Sequence, residues 1–136
     1  AHTIGYARCL TFKRRHFYFQ GSGRPDPVLA YSLLSKLRST CPNGDTSNSY
    51  IAPLDSNTTL TFDSEYYRNL VCNKGFLESD MALLADRRTS SMAYFYSTDQ
   101  YSFYNDFAAS MVKLSNVGVL TGIQGQIRRT CGSVNY

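Results

Sequence analysis

Residues 98–115, TDQYSFYNDFAASMVKLS, form the clearest amphipathic segment of the sequence. Apolar side chains recur there at intervals of three and four residues, which is the spacing of one face of an α-helix. The members of this apolar stripe are Tyr104, Phe107, Ala108, Met111 and Leu114. The polar residues predicted to face away from it are Asn105, Asp106, Ser110 and Lys113. The pattern predicts a helix from Thr98 to Ser115 and indicates a mainly α fold.

Shorter helices are predicted upstream of this segment. Asp26-Pro27 has the chemistry of a helix start, because Asp can cap free N–H groups and Pro is tolerated at the first helical position. Cys41-Pro42 would end that helix. A second helix is predicted from Phe62 to Asn73, and Ser79 is expected to cap a third helix through Ala85.

The two ends of the sequence have weaker patterns. Residues 1–14 carry apolar side chains in a broadly helical pattern. Val117 to Asn135 contains four glycines with β-branched residues between them, which favours a loop or a short β-hairpin. A helix array built from these segments would expose a large apolar surface, so we expect a further segment to cover it.

Length, composition and charge exclude several classes of protein. The 136 residues are enough for one domain, and 43% hydrophobic with 14% aromatic residues argues against intrinsic disorder. No apolar run reaches the roughly 18 residues of a membrane-spanning helix. The net charge of +4 is small and dispersed, which argues against nucleic-acid binding. The one basic cluster, Lys13 to His16, is predicted to be a solvated helix end.

Four widely spaced cysteines suggest an oxidising compartment. They are Cys9, Cys41, Cys72 and Cys131, and counting alone allows three disulfide connectivities. No pair has the C-x-x-C spacing that is typical of zinc sites. Asn57-Thr58-Thr59 is an N-glycosylation sequon that agrees with secretion, although such triplets are also common by chance.

Few residues offer recognisable catalytic chemistry. The two histidines are His2 and His16, and the sequence lacks both a G-x-S-x-G nucleophile motif and a glycine-rich phosphate loop. A histidine in an apolar helical segment is more often structural than a ligand. The segment from Leu54 to Asp63 holds two carboxylates and several hydroxyl groups, which suit a hard cation such as Ca²⁺. The same segment also fits an ordinary polar loop, and the residues alone leave both interpretations open.

Several motifs taken together resemble one known family. The matching stretches are Ala1-His2-Thr3-Ile4-Gly5-Tyr6-Ala7-Arg8-Cys9, Asp26-Pro27, Cys41-Pro42, Leu54-Asp55 to Phe62-Asp63, Tyr66-Tyr67-Arg68-Asn69-Leu70, Lys74-Gly75, Ser79-Asp80, Phe107 to Leu114, and Leu120-Thr121-Gly122 to Ile127-Arg128-Arg129-Thr130-Cys131. In these stretches the chain resembles the C-terminal part of the plant secretory (class III) haem peroxidases. The matches occur in family order along essentially the whole chain.

The resemblance implies a mainly α fold, the haem-peroxidase helical bundle, in which haem b lies between two halves. Residues 1–136 would be the proximal half only, with loops and room for a short β-hairpin. His2 matches the proximal histidine that binds the haem iron. Asp80 matches the buried aspartate that accepts a hydrogen bond from the other ring nitrogen and so increases electron donation to the iron.

The resemblance also implies a proximal Ca²⁺ site. Its ligands would be Thr3, Asp55, Thr58, Thr61 through the backbone carbonyl, and Asp63. Because Thr3 adjoins His2, bound Ca²⁺ would hold the segment that carries the iron ligand.

A disulfide pairing follows from the same resemblance. Cys9 and Cys41 match a disulfide of the family. Cys131 matches a cysteine whose partner lies in the N-terminal half, and Cys72 has no counterpart in the family framework. Cys72 would then be free and buried, or it would pair with Cys131 in an isolated fragment.

The function implied for the complete protein is oxidation of phenolic-type donors by H₂O₂, one electron at a time, in the extracellular space, cell wall or vacuole. The family's distal Arg-x-x-Phe-His motif does not occur in this sequence, so we expect an N-terminal half as partner and poor activity for the isolated fragment. No nucleic-acid or membrane partner is expected. The alternative is a truncated, non-enzymatic haem- or calcium-binding fragment, or a purely structural secreted one.

Overall fold

A computed structural model describes residues 2–136, and Ala1, the first residue of the predicted motif and domain, lies outside the described residues. The chain divides into two compact units, Ala1–Phe103 and Tyr104–Tyr136. The elements are β1 (Tyr6–Arg8), α1 (Cys9–Phe17), α2 (Tyr31–Thr40), β2 (Ile51–Pro53), α3 (Glu65–Val71), α4 (Glu78–Ala82), α5 (Arg87–Thr98) and α6 (Gln100–Ser115). Among the described residues, six α-helices and two short strands confirm the predicted mainly α fold.

The front of the chain is a strand where the apolar pattern of residues 1–14 predicts a helix. β1 pairs antiparallel with β2, with Tyr6 opposite Pro53 and Arg8 opposite Ile51. Gly5 has a φ of +101°, which glycine adopts without strain and which lets the chain turn into β1. α1 begins only at Cys9. A partner strand far along the sequence binds the backbone of β1, and local periodicity cannot reveal such a partner.

The helix predicted to begin at Asp26-Pro27 begins instead at Tyr31. Asp26 closes a turn, because its Oδ1 accepts the backbone N–H of Val28 at 2.9 Å. Its Oδ2 pairs with Nε of Arg15 at 2.8 Å, and both side chains are buried. The capping chemistry therefore serves a turn and a tertiary ion pair. α2 ends before Cys41-Pro42, as predicted.

The next two predicted helices are found with different ends. α3 is shorter than the predicted helix from Phe62 to Asn73. α4 contains Ser79, so this residue is not the cap that the sequence predicts. The backbone N–H of Leu77, which precedes α4, instead donates to the carboxylate of Asp80 at 2.9 Å.

Two helices occupy the region around Thr98, where the sequence predicts the start of one. The sequence patterns do not predict α5, which begins after Asp86, whose carboxylate accepts the N–H of Arg88 at 2.8 Å. Asp99 separates the helices and caps α6, because its Oδ1 accepts the N–H of Ser102 at 3.0 Å. An Asp therefore caps the start of each helix. The residues of α5 are polar and aromatic without a clear helical periodicity, which is why the sequence patterns miss this helix.

The basic cluster at the end of α1 is partly buried, which corrects the prediction of a solvated helix end. Arg15 is 5% exposed and His16 is fully buried. Nη1 of Arg15 donates to the backbone oxygens of Gly75 and Phe76 at 2.6 and 2.9 Å. Burial lowers the pKa of His16, whose Nε2 lies 3.4 Å from the carbonyl oxygen of Cys41. Charge runs are solvated by default, but an ion pair and carbonyl acceptors offset the cost of burying Arg15.

The main core lies between α1 and α2. Its buried members are Cys9, Phe12, Leu29, Leu33, Leu34, Leu37, Cys41, Ala52 and Phe76. A disulfide joins Cys9 to Cys41, as the resemblance implies. Cys72 and Cys131 are free thiols, so they are not linked to each other, and Cys72 is exposed where a buried thiol is one of the two expectations. A smaller cluster joins α3 to α5, with buried members Tyr66, Leu70 and Ala93.

The second unit contains most of α6 and an irregular C-terminal segment. Of the two alternatives predicted for Val117 to Asn135, the loop is found, with a 3₁₀ turn at Gly122–Gln124. The side chain of Asn135 forms hydrogen bonds within this loop. It accepts the N–H of Arg129 at 3.0 Å and donates to the carbonyl oxygen of Ile127 at 2.9 Å.

No member of the apolar stripe predicted on α6 is fully buried: Tyr104 and Phe107 are partly buried, and Ala108, Met111 and Leu114 are exposed. Met111 and Leu114 are 47% and 62% exposed. Helical spacing shows which side chains share a face, but burial of that face depends on what packs against it. Among the residues that the structure describes, no helix is long and apolar enough to cross a membrane.

Candidate functional site

His2 and Asp80 lie in contact although they are 78 positions apart. Nδ1 of His2 is 2.8 Å from Oδ1 of Asp80. Asp80 lies in α4 and is 3% exposed, whereas the His2 side chain is 46% exposed. The structure thus brings together the two residues predicted to be the iron ligand and its hydrogen-bond partner.

The carboxylate of Asp80 accepts two further hydrogen bonds. The backbone N–H of Leu77 donates to Oδ2 at 2.9 Å, and the hydroxyl of Tyr66 donates to Oδ1 at 3.1 Å. Burial, together with the negative charge of Asp80, raises the pKa of Tyr66 well above its usual range, which keeps the phenol protonated and able to donate. The donors fix the orientation of the carboxylate that faces His2.

This arrangement determines which nitrogen of His2 is available. Because the Asp80 carboxylate is an acceptor, Nδ1 carries the proton and donates, and the lone pair lies on Nε2. No hydrogen bond to Nε2 is found within residues 2–136. Metal-binding histidines typically donate their other N–H to a carboxylate, which fixes the tautomer and raises ligand basicity. The half-exposed imidazole of His2 therefore has the chemistry of a residue that would hold haem iron through Nε2.

Thr3 and Asp63 form the first part of the predicted calcium site. Thr3 is fully buried, and its hydroxyl donates to the backbone oxygen of Asp63 at 2.8 Å. The same hydroxyl lies 3.1 Å from Oδ1 of Asp63. That carboxylate oxygen also accepts the N–H of Glu65 at 2.9 Å, at the start of α3. The residue after His2 is therefore held against the segment that leads into α3.

Asp55 and Thr58 form the second part. Oδ2 of Asp55 accepts the hydroxyl of Thr58 at 3.0 Å. Oδ1 accepts the backbone N–H of Asn57 at 2.8 Å and the side-chain amide of Asn69 at 3.2 Å. Thr61 joins this group through its own N–H, which donates to the carbonyl of Thr58 at 2.9 Å. The loop from Asp55 to Thr61 is thus folded around one buried carboxylate.

Gly5 connects the oxygen-rich loop, residues 54–63, to the segment that carries His2. Its N–H donates to the carbonyl of Thr59 at 3.3 Å, and its carbonyl accepts the N–H of Leu54 at 3.0 Å. A displacement of the loop would therefore be transmitted through Gly5 and Thr3 to the residue beside His2.

The donor set of this loop fits a hard cation. Asp55 and Asp63 are 1% and 8% exposed, and in the described part of the chain neither pairs with a Lys, Arg or His side chain. A buried carboxylate without a cation is costly, and Ca²⁺ prefers carboxylate, hydroxyl and carbonyl oxygens. Residues 2–136 contain no cluster of three or more His, Cys, Asp or Glu that could hold a metal. A calcium site here would therefore need the further oxygen ligands that the resemblance implies, from Thr3, Thr58 and Thr61, and it stays a prediction.

Sequence patterns do not identify Tyr66 as a partner of Asp80. Helical spacing places Tyr66 on the buried side of its helix, and a buried phenol usually requires a hydrogen-bond acceptor. That signal predicts an acceptor without saying which one. Only the packing of α3 beside α4 supplies Asp80.

Comparison with known proteins gives one family for this chain. A family model described as Peroxidase matches residues 1–99. The chain is 52% identical over 134 residues to Peroxidase 10 of Arabidopsis thaliana, covering 97% of this chain and 38% of that protein. It is 41% identical to the lignin-forming anionic peroxidase of Nicotiana tabacum, covering 99% of this chain and 42% of that protein. Peroxidase N of Armoracia rusticana is also 41% identical, with the same coverages. The chain thus spans about two fifths of the length of these relatives.

Proposed function

Since the chain belongs to the peroxidase family, we propose that it is the proximal part of a haem peroxidase that oxidises phenolic-type donors with H₂O₂. The observation that carries the proposal is the 2.8 Å contact between Nδ1 of His2 and buried Asp80, with no hydrogen bond to Nε2 of His2 from residues 2–136. Names of relatives such as the lignin-forming peroxidase agree with a phenolic donor. Haem, when bound, supplies the iron at which peroxide is reduced.

The contribution of this chain would be electronic and positional. Asp80 attracts the Nδ1 proton of His2, which increases the electron density that Nε2 can donate. Leu77 and Tyr66 hold the carboxylate in place. The groups that move the protons of peroxide are proposed to belong to a distal half outside residues 1–136, because general acid–base assistance requires groups beside the bound peroxide.

We further propose that the complete protein is secreted. The buried disulfide between Cys9 and Cys41 requires an oxidising compartment to form. Extracellular space, cell wall and vacuole all satisfy that condition for a plant protein.

Haem titration tests the proposal most directly. We expect the complete protein that contains this chain to bind one haem, to show the Soret absorbance of a histidine-ligated iron, and to oxidise a phenolic donor when H₂O₂ is added. The 136-residue chain alone is expected to turn over peroxide poorly. Absence of haem binding by the complete protein would contradict the proposal.

Calcium removal tests the second part of the site. Chelation of Ca²⁺ is expected to perturb the haem absorbance spectrum, because the oxygen-rich loop holds Thr3, which is adjacent to His2. Asp63→Asn should weaken Ca²⁺ binding by at least ~10-fold, measured by calorimetry. Asp45→Asn, the same change at an exposed residue outside the loop, is the matched control and should bind Ca²⁺ normally. An unchanged haem spectrum after complete chelation would refute the coupling.

A further inference from the structure

Oδ1 of Asp80 accepts two hydrogen bonds at once. Nδ1 of His2 lies 2.8 Å away and the hydroxyl of Tyr66 lies 3.1 Å away, while Oδ2 accepts only the N–H of Leu77 among the described residues. The two side chains therefore share one oxygen of one buried carboxylate. The negative charge on this oxygen is therefore divided between the hydrogen bond from His2 and the hydrogen bond from Tyr66.

Sharing weakens each of the two hydrogen bonds. A hydrogen-bond donor withdraws electron density from the carboxylate oxygen that it binds. A second donor to the same oxygen therefore lowers the basicity of that oxygen toward the first donor. The site is buried, with Asp80 only 3% exposed, and in low dielectric such charge-assisted bonds are stronger than in water. The Tyr66 hydroxyl should therefore reduce the extent to which Asp80 draws the proton from His2.

The ring of Tyr66 is held by packing as well as by its hydroxyl. Tyr66 is 7% exposed and lies in a cluster with Leu70 of α3 and Ala93 of α5. The ring of Tyr67 packs edge-on against it, with the ring centroids 5.0 Å apart. A phenylalanine at this position would keep those contacts and would remove only the donor.

We propose that Tyr66 is a positioning residue that tunes the electron donation of His2 to haem iron by taking part of the negative charge of Asp80. This inference rests on the proposed role of His2 as the iron ligand. The inference predicts a His2–Asp80 hydrogen bond of intermediate strength. The imidazole of His2 would then have a charge between that of a neutral ring and that of a fully deprotonated one.

The test is Tyr66→Phe in the complete haem-loaded protein. Without the competing donor, Asp80 draws the Nδ1 proton more strongly, so the bond between iron and Nε2 of His2 shortens and stiffens. We expect a higher iron–histidine stretching frequency in the resonance Raman spectrum of the ferrous protein. The ferric-to-ferrous ratio at a fixed potential should rise about tenfold, which corresponds to a midpoint potential lower by ~59 mV.

Tyr67→Phe is the matched control, because it removes a neighbouring phenol hydroxyl that makes no hydrogen bond to Asp80. It should change neither the stretching frequency nor the potential. If Tyr66→Phe binds haem through His2 and leaves both readouts at their wild-type values, the proposal is overturned. A wild-type protein whose iron is not bound by histidine would show instead that the proposed function has failed. Matching far-UV circular dichroism of the two variants would show that a spectral difference does not come from unfolding.

Discussion

Replacing His2 by alanine is expected to abolish the histidine-ligated haem spectrum and to lower peroxidase activity by more than ~100-fold in the complete protein. Substitution of a residue that only supports a metal ligand typically costs about 10–100-fold, and loss of the ligand itself should exceed that range. Asp80→Asn should fall within the range, because Nδ1 of His2 would face a neutral amide oxygen. Optical titration with haem and steady-state oxidation of a phenolic donor measure the two effects.

His16 provides the control for this prediction. It is the other histidine of the chain, it is fully buried at the end of α1, and its Nε2 faces the carbonyl of Cys41. His16→Gln should therefore keep the haem spectrum even if the variant unfolds at lower denaturant. Retention of the histidine-ligated spectrum in His2→Ala would contradict the assignment of His2 as the iron ligand.

The second large effect is expected at Arg15. Arg15→Met would leave Asp26 buried without its cation and would remove the donor to the carbonyls of Gly75 and Phe76. Removing one partner of a buried ion pair typically costs about 3–5 kcal/mol, and we expect that loss in the free energy of unfolding. Urea denaturation followed by circular dichroism measures it.

Two further variants separate charge from packing. Arg88→Met breaks an exposed ion pair with Asp86 and should leave the denaturation midpoint unchanged. Adding Asp26→Asn to Arg15→Met removes the unpaired charge, so the double variant should recover part of the lost stability. A single Arg15→Met variant as stable as the parent would show that the buried pair does not stabilise the fold.

The pair proposed to bind iron was the part of the candidate site most accessible from sequence. His2 and Asp80 could be paired only through the order of motifs along the chain, because no rule of spacing connects residues so far apart. The structure places them in hydrogen-bond contact. The oxygen-rich loop was accessible for a different reason, since Asp, Asn and Thr within one short segment limit the possible chemistry to polar turns and hard cations.

Other features could not be derived in that way. Arg15 and His16 belong to a basic run, and a basic run is solvated unless a tertiary partner makes burial tolerable. That partner is Asp26, whose position before Pro27 suggests a helix cap and nothing more. The strand at Tyr6–Arg8 similarly depends on Ile51–Pro53, which no local pattern connects to it.

The sequence by itself determined the family, through motifs that occur in family order, and the helical class, through the periodicity of apolar side chains. The residues proposed to bind iron and calcium follow from the same resemblance. The tertiary structure decided which donors share the carboxylate of Asp80, which charges are buried and where each helix begins. Those outcomes depend on groups that meet through space, such as Tyr66 with Asp80 and Arg15 with Asp26. The strength of a hydrogen bond or ion pair depends on the distance between its groups and on their burial, and the sequence patterns predict neither.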